Sequence, residues 1–212
     1  MKSIPLSQFS PGALESLLSG IPFFKDMMFN DPDLMDLLAK HSSIYEPEGG
    51  EAVIEKGATD NIFYFLISGQ LIVYPDGKKS KKAVNFLSAG QPLGVLALLS
   101  KSPRTATLVV DPKAGRCQLI GTDFAPFGDL TDYGRVHLGA KLALWRMVAN
   151  NTRWKLNVYK MQNPEHPLAA ELAKIEAFTG EKGSEEELLS QDRQVRALTE
   201  LMSRWNEALA KS

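Results

Sequence analysis

The chain has 212 residues, of which 44% are hydrophobic, 23% charged and 8% aromatic, enough apolar mass for one well-packed domain or two small ones and too much for a disordered chain. Lys and Arg number 24 against 25 Asp and Glu, so no whole-protein field draws it to nucleic acid or to an anionic membrane. The single cysteine, Cys117, excludes an internal disulfide and any CxxC pair, which fits a reducing compartment.

The opening MKSIPLSQFSPGALESLL is broken by Pro5 and Pro11 before an apolar run of signal-peptide length builds up, and no later run is long enough to span a membrane. A cytoplasmic protein is expected. Ser10-Pro11 and Asp31-Pro32 each read as an N-cap followed by a first-turn proline. They predict a short helix stopped by Gly20 and a second one that carries Leu34, Leu37 and Leu38 and ends near His41. Residues 1–42 are therefore expected to form N-terminal helices.

From about residue 43 the pattern changes to short β-rich segments: SSIYEP, EAVIEK, NIFYFLISG, QLIVYP, KAVNFLS, RTATLVV and RCQLIG. Turn signals separate them at Gly49-Gly50, Gly57, Gly69, Pro75-Asp76-Gly77, Ala89-Gly90 and Asp111-Pro112. This density, with almost no helix between strands, excludes a parallel βαβ sheet. The expected fold is mainly β with flanking helices, an antiparallel β roll over residues 43–131.

Residues 132–161 predict one long helix. Leu138, Leu142, Trp145, Ala149, Thr152, Leu156 and Tyr159 recur at alternating spacings of four and three, a heptad seam. A second apolar face, Ala140, Met147, Trp154, Val158 and Met161, runs beside it. The seam implies a homodimer, with a single amphipathic helix folded on its own domain as the alternative. Pro164 and Pro167 end the helix. Residues 162–212 read as an acidic helical tail with ten acidic against six basic side chains from 161 onward, the wrong balance for a DNA-binding arm. In the tail, Ala169, Leu172, Ala173 and Ile175 suggest a short helix stopped near Gly180. Ser184 and Glu187 form a capping box that opens a longer one, with Val195, Leu198, Met202, Trp205 and Leu209 on one face. That face is expected to contact another protein or to pack on the roll.

Catalytic constellations are not legible. His41, His137 and His166 fall in three separate segments without metal-ligand spacing. Ser68-Gly69 lacks the flanking glycine of a nucleophile elbow, and Cys117 has no histidine near it in sequence. Neither an enzyme nor a metal or cofactor is expected. The informative stretch is Gly94-Val95-Leu96-Ala97-Leu98-Leu99 followed by Pro103-Arg104-Thr105-Ala106-Thr107. Backbone N–H groups from Gly94 to Leu96, the Arg104 guanidinium and the Thr105 hydroxyl could enclose a phosphate. The same spacing also suits a plain strand-to-strand connection with a solvated arginine.

This stretch resembles the phosphate-binding cassette of cyclic nucleotide-binding domains, whose usual form is F-G-E-[L/I]-A-L followed by P-R-x-A. Gly50 and Gly57, and Asn61 to Val73 with its turn at Gly69, resemble the paired glycines and strands of that family. The resemblance covers about residues 20 to 160. It implies a non-catalytic regulatory or sensor protein whose ligand is a cyclic or other phosphorylated nucleotide such as cyclic AMP or cyclic GMP, with Arg104 gripping the phosphate. Where the family has a glutamate that accepts from the ribose hydroxyl, this chain has Val95, and Leu93 and Gln91 also depart from the pattern. In relatives similar to the catabolite activator proteins the long helix offers polar groups to the purine, which points to Asn150, Asn151 and Thr152; one of them could instead set coiled-coil register. Those activators carry a DNA-binding unit that this tail does not match, so a transcription regulator is the least favoured reading. A roll that has lost its ligand and persists as a dimeric interaction module is the stronger alternative.

Overall fold

The computed structural model describes residues 1–75, 83, 85–99 and 101–211. Asp76 and Gly77 of the expected turn, Lys82 and Val84 of the expected strand, and Ser100 lie outside the described residues.

Two antiparallel sheets face each other. One contains β1 (Lys2–Pro5), β2 (Ser42–Glu46), β4 (Ile62–Ser68), β7 (Pro92–Leu93) and β9 (Gln118–Asp123), in the order β1-β2-β9-β4-β7. The other contains β3 (Ala52–Ile54), β5 (Gln70–Tyr74), β6 (Asn85–Ser88) and β8 (Thr107–Val110), in the order β3-β8-β5-β6. Every ladder is antiparallel, so the expected β roll is present. The unbroken run Ile62–Ser68 is explained by burial on both of its faces, since such a strand needs no polar alternation. Tyr64 and Leu66 join Leu71, Leu87, Leu93, Leu108 and Leu119 between the sheets. Phe63 and Phe65 belong to the second core, on the helical side. There Phe65 stacks on Phe23 with centroids 5.8 Å apart and meets Phe24 edge-on at 5.1 Å.

Gly69 makes the tight β4–β5 turn with φ +89°, and a Cβ there would lie 2.9 Å from the Cα of Cys117. Cys117 is buried and desolvation pushes its thiol up to about 11, so it packs as a small apolar residue.

Two strands were not legible. β1 is four residues ending in a proline and pairs with β2 alone, from Lys2 opposite Glu46 to Pro5 opposite Ser43. β7 is two residues beside Tyr64 and Phe65. The segment 1–42 is thus not helical throughout. It holds an edge strand followed by α1 (Pro11–Leu18), α2 (Pro22–Asn30) and α3 (Pro32–Lys40). Asp31 caps α3, accepting from the Leu34 N–H at 3.1 Å.

The short α4 (Val95–Leu99) lies within the roll, and α5 (Leu138–Gln162), a 3₁₀ segment (Pro167–Lys174) and α6 (Glu185–Lys211) follow it. The seam read as a dimer interface is filled from within the chain. Leu142, Trp145, Ala149, Leu156 and Tyr159 share one core with Val195, Leu198, Met202 and Trp205 of α6. The Tyr159 and Trp205 rings stand 6.0 Å apart, and the Trp145 indole donates to Asp192 at 3.2 Å. The same contact takes the tail face that was expected to meet another protein, leaving the alternative of packing on its own domain. On the second face of α5, Ala140 is buried whereas Trp154 and Met161 are 57% and 79% exposed.

The capping box at α6 is present with one change. The Glu187 N–H donates to Ser184 Oγ at 3.1 Å, but the Glu187 carboxylate accepts from the Gly183 N–H at 2.7 Å rather than from Ser184. Arg146 of α5 forks onto the same carboxylate at 2.7 and 2.5 Å. The Arg146 hydrogen bonds hold the Glu187 pKa below the usual carboxylate value. A depressed folded pKa gives stability that is present above the unfolded value and is lost as pH falls through the folded one. Glu187→Gln is therefore expected to be less stable than the parent near neutrality, with the gap closing on acidification. Urea denaturation from about pH 6 to about pH 3 checks this, and a pH-independent gap would contradict it.

Candidate functional site

The stretch after β7 is shaped by Gly94. Its φ is +74°, and a Cβ at that position would collide with the Arg104 guanidinium, so an L side chain is excluded on both counts. The chain then makes the five-residue α4 and returns to Arg104. There the Arg104 N–H donates to the Ala58 carbonyl at 3.0 Å and the Gly57 N–H to the Arg104 carbonyl at 2.8 Å.

The Arg104 side chain is almost fully buried, and protein oxygens meet most of its donors. Nη1 donates to the Gly94 carbonyl, and Nη2 to the Ile62 carbonyl and, at 2.6 Å, to Asp60 Oδ1. Nε lies 3.4 Å from Asp60 Oδ2. Burial works against the Asp60 carboxylate, but its Arg104 hydrogen bond helps outweigh that cost, and its pKa sits below the ordinary value. Arg104 therefore clamps the cassette to the 57–62 segment as well as bordering the site, and it is not the solvated arginine that the spacing also allowed.

Between the cassette and the helices lies a cavity of about 120 Å³, room for about four waters at ~30 Å³ each. The roll supplies Ile54, Val73, Asn85, Leu87, Leu93 and Leu108, and the cassette supplies Gly94, Val95, Leu96, Arg104 and Thr105. From α5 come Val148, Asn151, Thr152, Lys155 and Tyr159, and from α6 Met202 and Asn206. The expected site residues thus converge, with the exception of Asn150. That side chain is exposed and outside the lining, because one step along a helix turns a residue by about 100°. Val95 is 3% exposed and also packs in the helical core. Thr152 spends its hydroxyl hydrogen on the Val148 carbonyl at 2.8 Å, leaving its oxygen as an acceptor.

Sequence reasoning missed four contributors. Tyr159 was read as seam, yet it borders the cavity, its hydroxyl donating to Asn206 Oδ1 at 3.4 Å while burial pushes its pKa up. Met202 and Asn206 come from the tail. Lys155 had a legible signal, since it stands three residues after Thr152 and four before Tyr159, one turn from each on the same helix face. Among the described residues no three His, Cys, Asp or Glu side chains cluster as metal ligands, and no helix is long and apolar enough to cross a membrane.

Residues 46–124 match the family model of the cyclic nucleotide-binding domain. A cAMP-dependent protein kinase regulatory subunit of Mucor circinelloides f. lusitanicus is 35% identical over 74 residues, 35% of this chain and 17% of that subunit. The match thus spans about one sixth of the curated relative's length. Among solved structures, a protein from Geobacter metallireducens GS-15 assigned to cyclic nucleotide binding superposes with TM-score 0.51 at 15% identity, covering 68% of this chain and 96% of its own. That likeness speaks for the fold. Cyclic AMP-bound PfPKA-R aligns at 27% identity with TM-score 0.49, over 66% of this chain and 44% of that one.

Proposed function

We propose, from the match of residues 46–124 to the cyclic nucleotide-binding domain, that this protein is a non-catalytic regulatory sensor. A cyclic or other phosphorylated nucleotide enters the cavity between the cassette and α5, and its presence is passed to α6. One observation carries this reading: the cavity wall is drawn from the cassette, from α5 and from α6 together. A ligand that touches all three must favour one placement of α6 over others by whatever contact energy differs between them.

Binding is expected to be weak. The resemblance places a ribose acceptor where this chain has Val95, and losing a charged hydrogen bond to a hydroxyl costs roughly 1.5–3 kcal/mol, about one to two decades of affinity. Calorimetry with cyclic AMP and cyclic GMP should show a weak but measurable isotherm, and Val95→Glu should tighten it about tenfold or more. If neither nucleotide binds at millimolar concentration and Val95→Glu restores nothing, the sensor reading falls. The engagement of Arg104 by Asp60 and two carbonyls would then favour the ligand-free interaction module.

A further inference from the structure

The charges around the cavity are one-sided. No Asp or Glu lines it among the described residues, and its two cationic side chains are Arg104 and Lys155. Arg104 is answered by Asp60, a residue outside the cavity lining. Lys155 makes no hydrogen bond or ion pair among the described residues, although Asn151 and Tyr159 stand one turn away on either side of it. Apart from Arg104, the other lining residues carry no charge, among them Asn85 and Leu87 from the roll, Val148 and Thr152 from α5, and Met202 and Asn206 from α6.

A partly buried ammonium without a counter-charge is costly to a fold, because the interior removes its water and returns nothing in exchange. We infer that Lys155 is the anion anchor of this cavity, and that the ligand is a small organic monoanion whose apolar body lies against Val73, Leu87, Leu108 and Val148. The inference rests on the sensor reading for its site but not for its ligand, since a phosphodiester, sulfonate or carboxylate would each supply the missing charge. It moves the main charge contact from the cassette arginine to α5, so that the helix feels the ligand directly. Desolvation brings the Lys155 ammonium down to about 8, which leaves it mostly protonated at neutral pH. Arg104, held by Asp60, and Tyr159, whose phenol burial pushes upward, are the other ionisable groups that line the same cavity. Anion binding is accordingly expected to be strongest below about pH 8 and to weaken as Lys155 loses its proton above it.

The test uses the full chain and two fluorescent probes of similar body, anionic 8-anilinonaphthalene-1-sulfonate and neutral N-phenyl-1-naphthylamine. Lys155→Met should weaken the sulfonate at least tenfold and leave the neutral probe within about twofold, while Lys155→Arg should keep both. Equal sulfonate binding by the parent and Lys155→Met, loss of both probes together, or no sulfonate binding by the parent would each overturn the inference. Calorimetry separates this from the parent reading. If cyclic AMP does not bind but the sulfonate depends on Lys155, the anion site stands and the nucleotide reading falls. If cyclic AMP binds and is indifferent to Lys155→Met, the reverse holds.

Discussion

Trp205→Ala is expected to destabilise the chain by about 3–5 kcal/mol, the range for truncating a fully buried aromatic side chain. Trp205 is 1% exposed, with the Tyr159 ring 6.0 Å away and the His166 ring at 4.6 Å. It is the largest α6 side chain in the core shared with α5, and removing it leaves a cavity that the neighbouring side chains cannot close without moving the helix. For a chain of this length the loss corresponds to a fall in melting temperature on the order of 10 °C. It should also release the seam of Leu142, Trp145, Leu156 and Tyr159, and a heptad stripe without its partner seeks a second copy. Sedimentation of Trp205→Ala should therefore show more self-association than the parent. A variant that melts within about 2 °C of the parent and sediments identically would mean that α6 is not held by this contact.

Arg104→Leu is the second large effect, and it is expected in stability before ligand binding is considered. The change deletes the donors that meet the Gly94 and Ile62 carbonyls and the Asp60 carboxylate. Breaking a fully buried pair costs roughly 3–5 kcal/mol. Asp60 is 41% exposed in its side chain and keeps part of its hydration, so about 2–3 kcal/mol is the expected loss once solvent screening is allowed for. Arg104→Lys should recover little, because a single ammonium cannot span three acceptors that a planar fork reaches together. Equilibrium denaturation measures both variants. Parent-like stability for Arg104→Leu would show that the clamp on the cassette is unimportant and return Arg104 to a purely ligand-facing role.

The roll was readable because its turn residues and strand lengths are local signals: Gly69 marks where the chain reverses, and the β-branched and aromatic run from Ile62 to Leu66 marks a strand. β1 and β7 carry no such signal, being too short to show a period and fixed only by their neighbours. The long helix was readable for the same local reason, but the partner of its seam was not. A heptad stripe states that an apolar surface will be covered without stating by what. Here the stripe Val195, Leu198, Met202 and Trp205 in the same chain is present at a far higher effective concentration than any second copy. In the site, the cassette spacing located Gly94, Val95, Arg104 and Thr105. The polar cluster on the helix gave Asn151 and Thr152 with one residue too many, since adjacency in sequence is not adjacency on a helix face. Lys155, Asp60 and Asn206 needed the fold, because each gains its meaning from an element distant in sequence.

The central claim, that a ligand in the cavity is felt by α5 and α6 as well as by the cassette, is tested most directly by amide hydrogen exchange of the full chain with and without saturating cyclic nucleotide. The account predicts altered protection in three separated segments, residues 92–106, 148–159 and 195–209, with β1 and β2, at the end of their sheet away from β7, unchanged. Protection changes confined to the roll, with 195–209 exchanging alike in both states at a nucleotide concentration shown by calorimetry to be saturating, would contradict it.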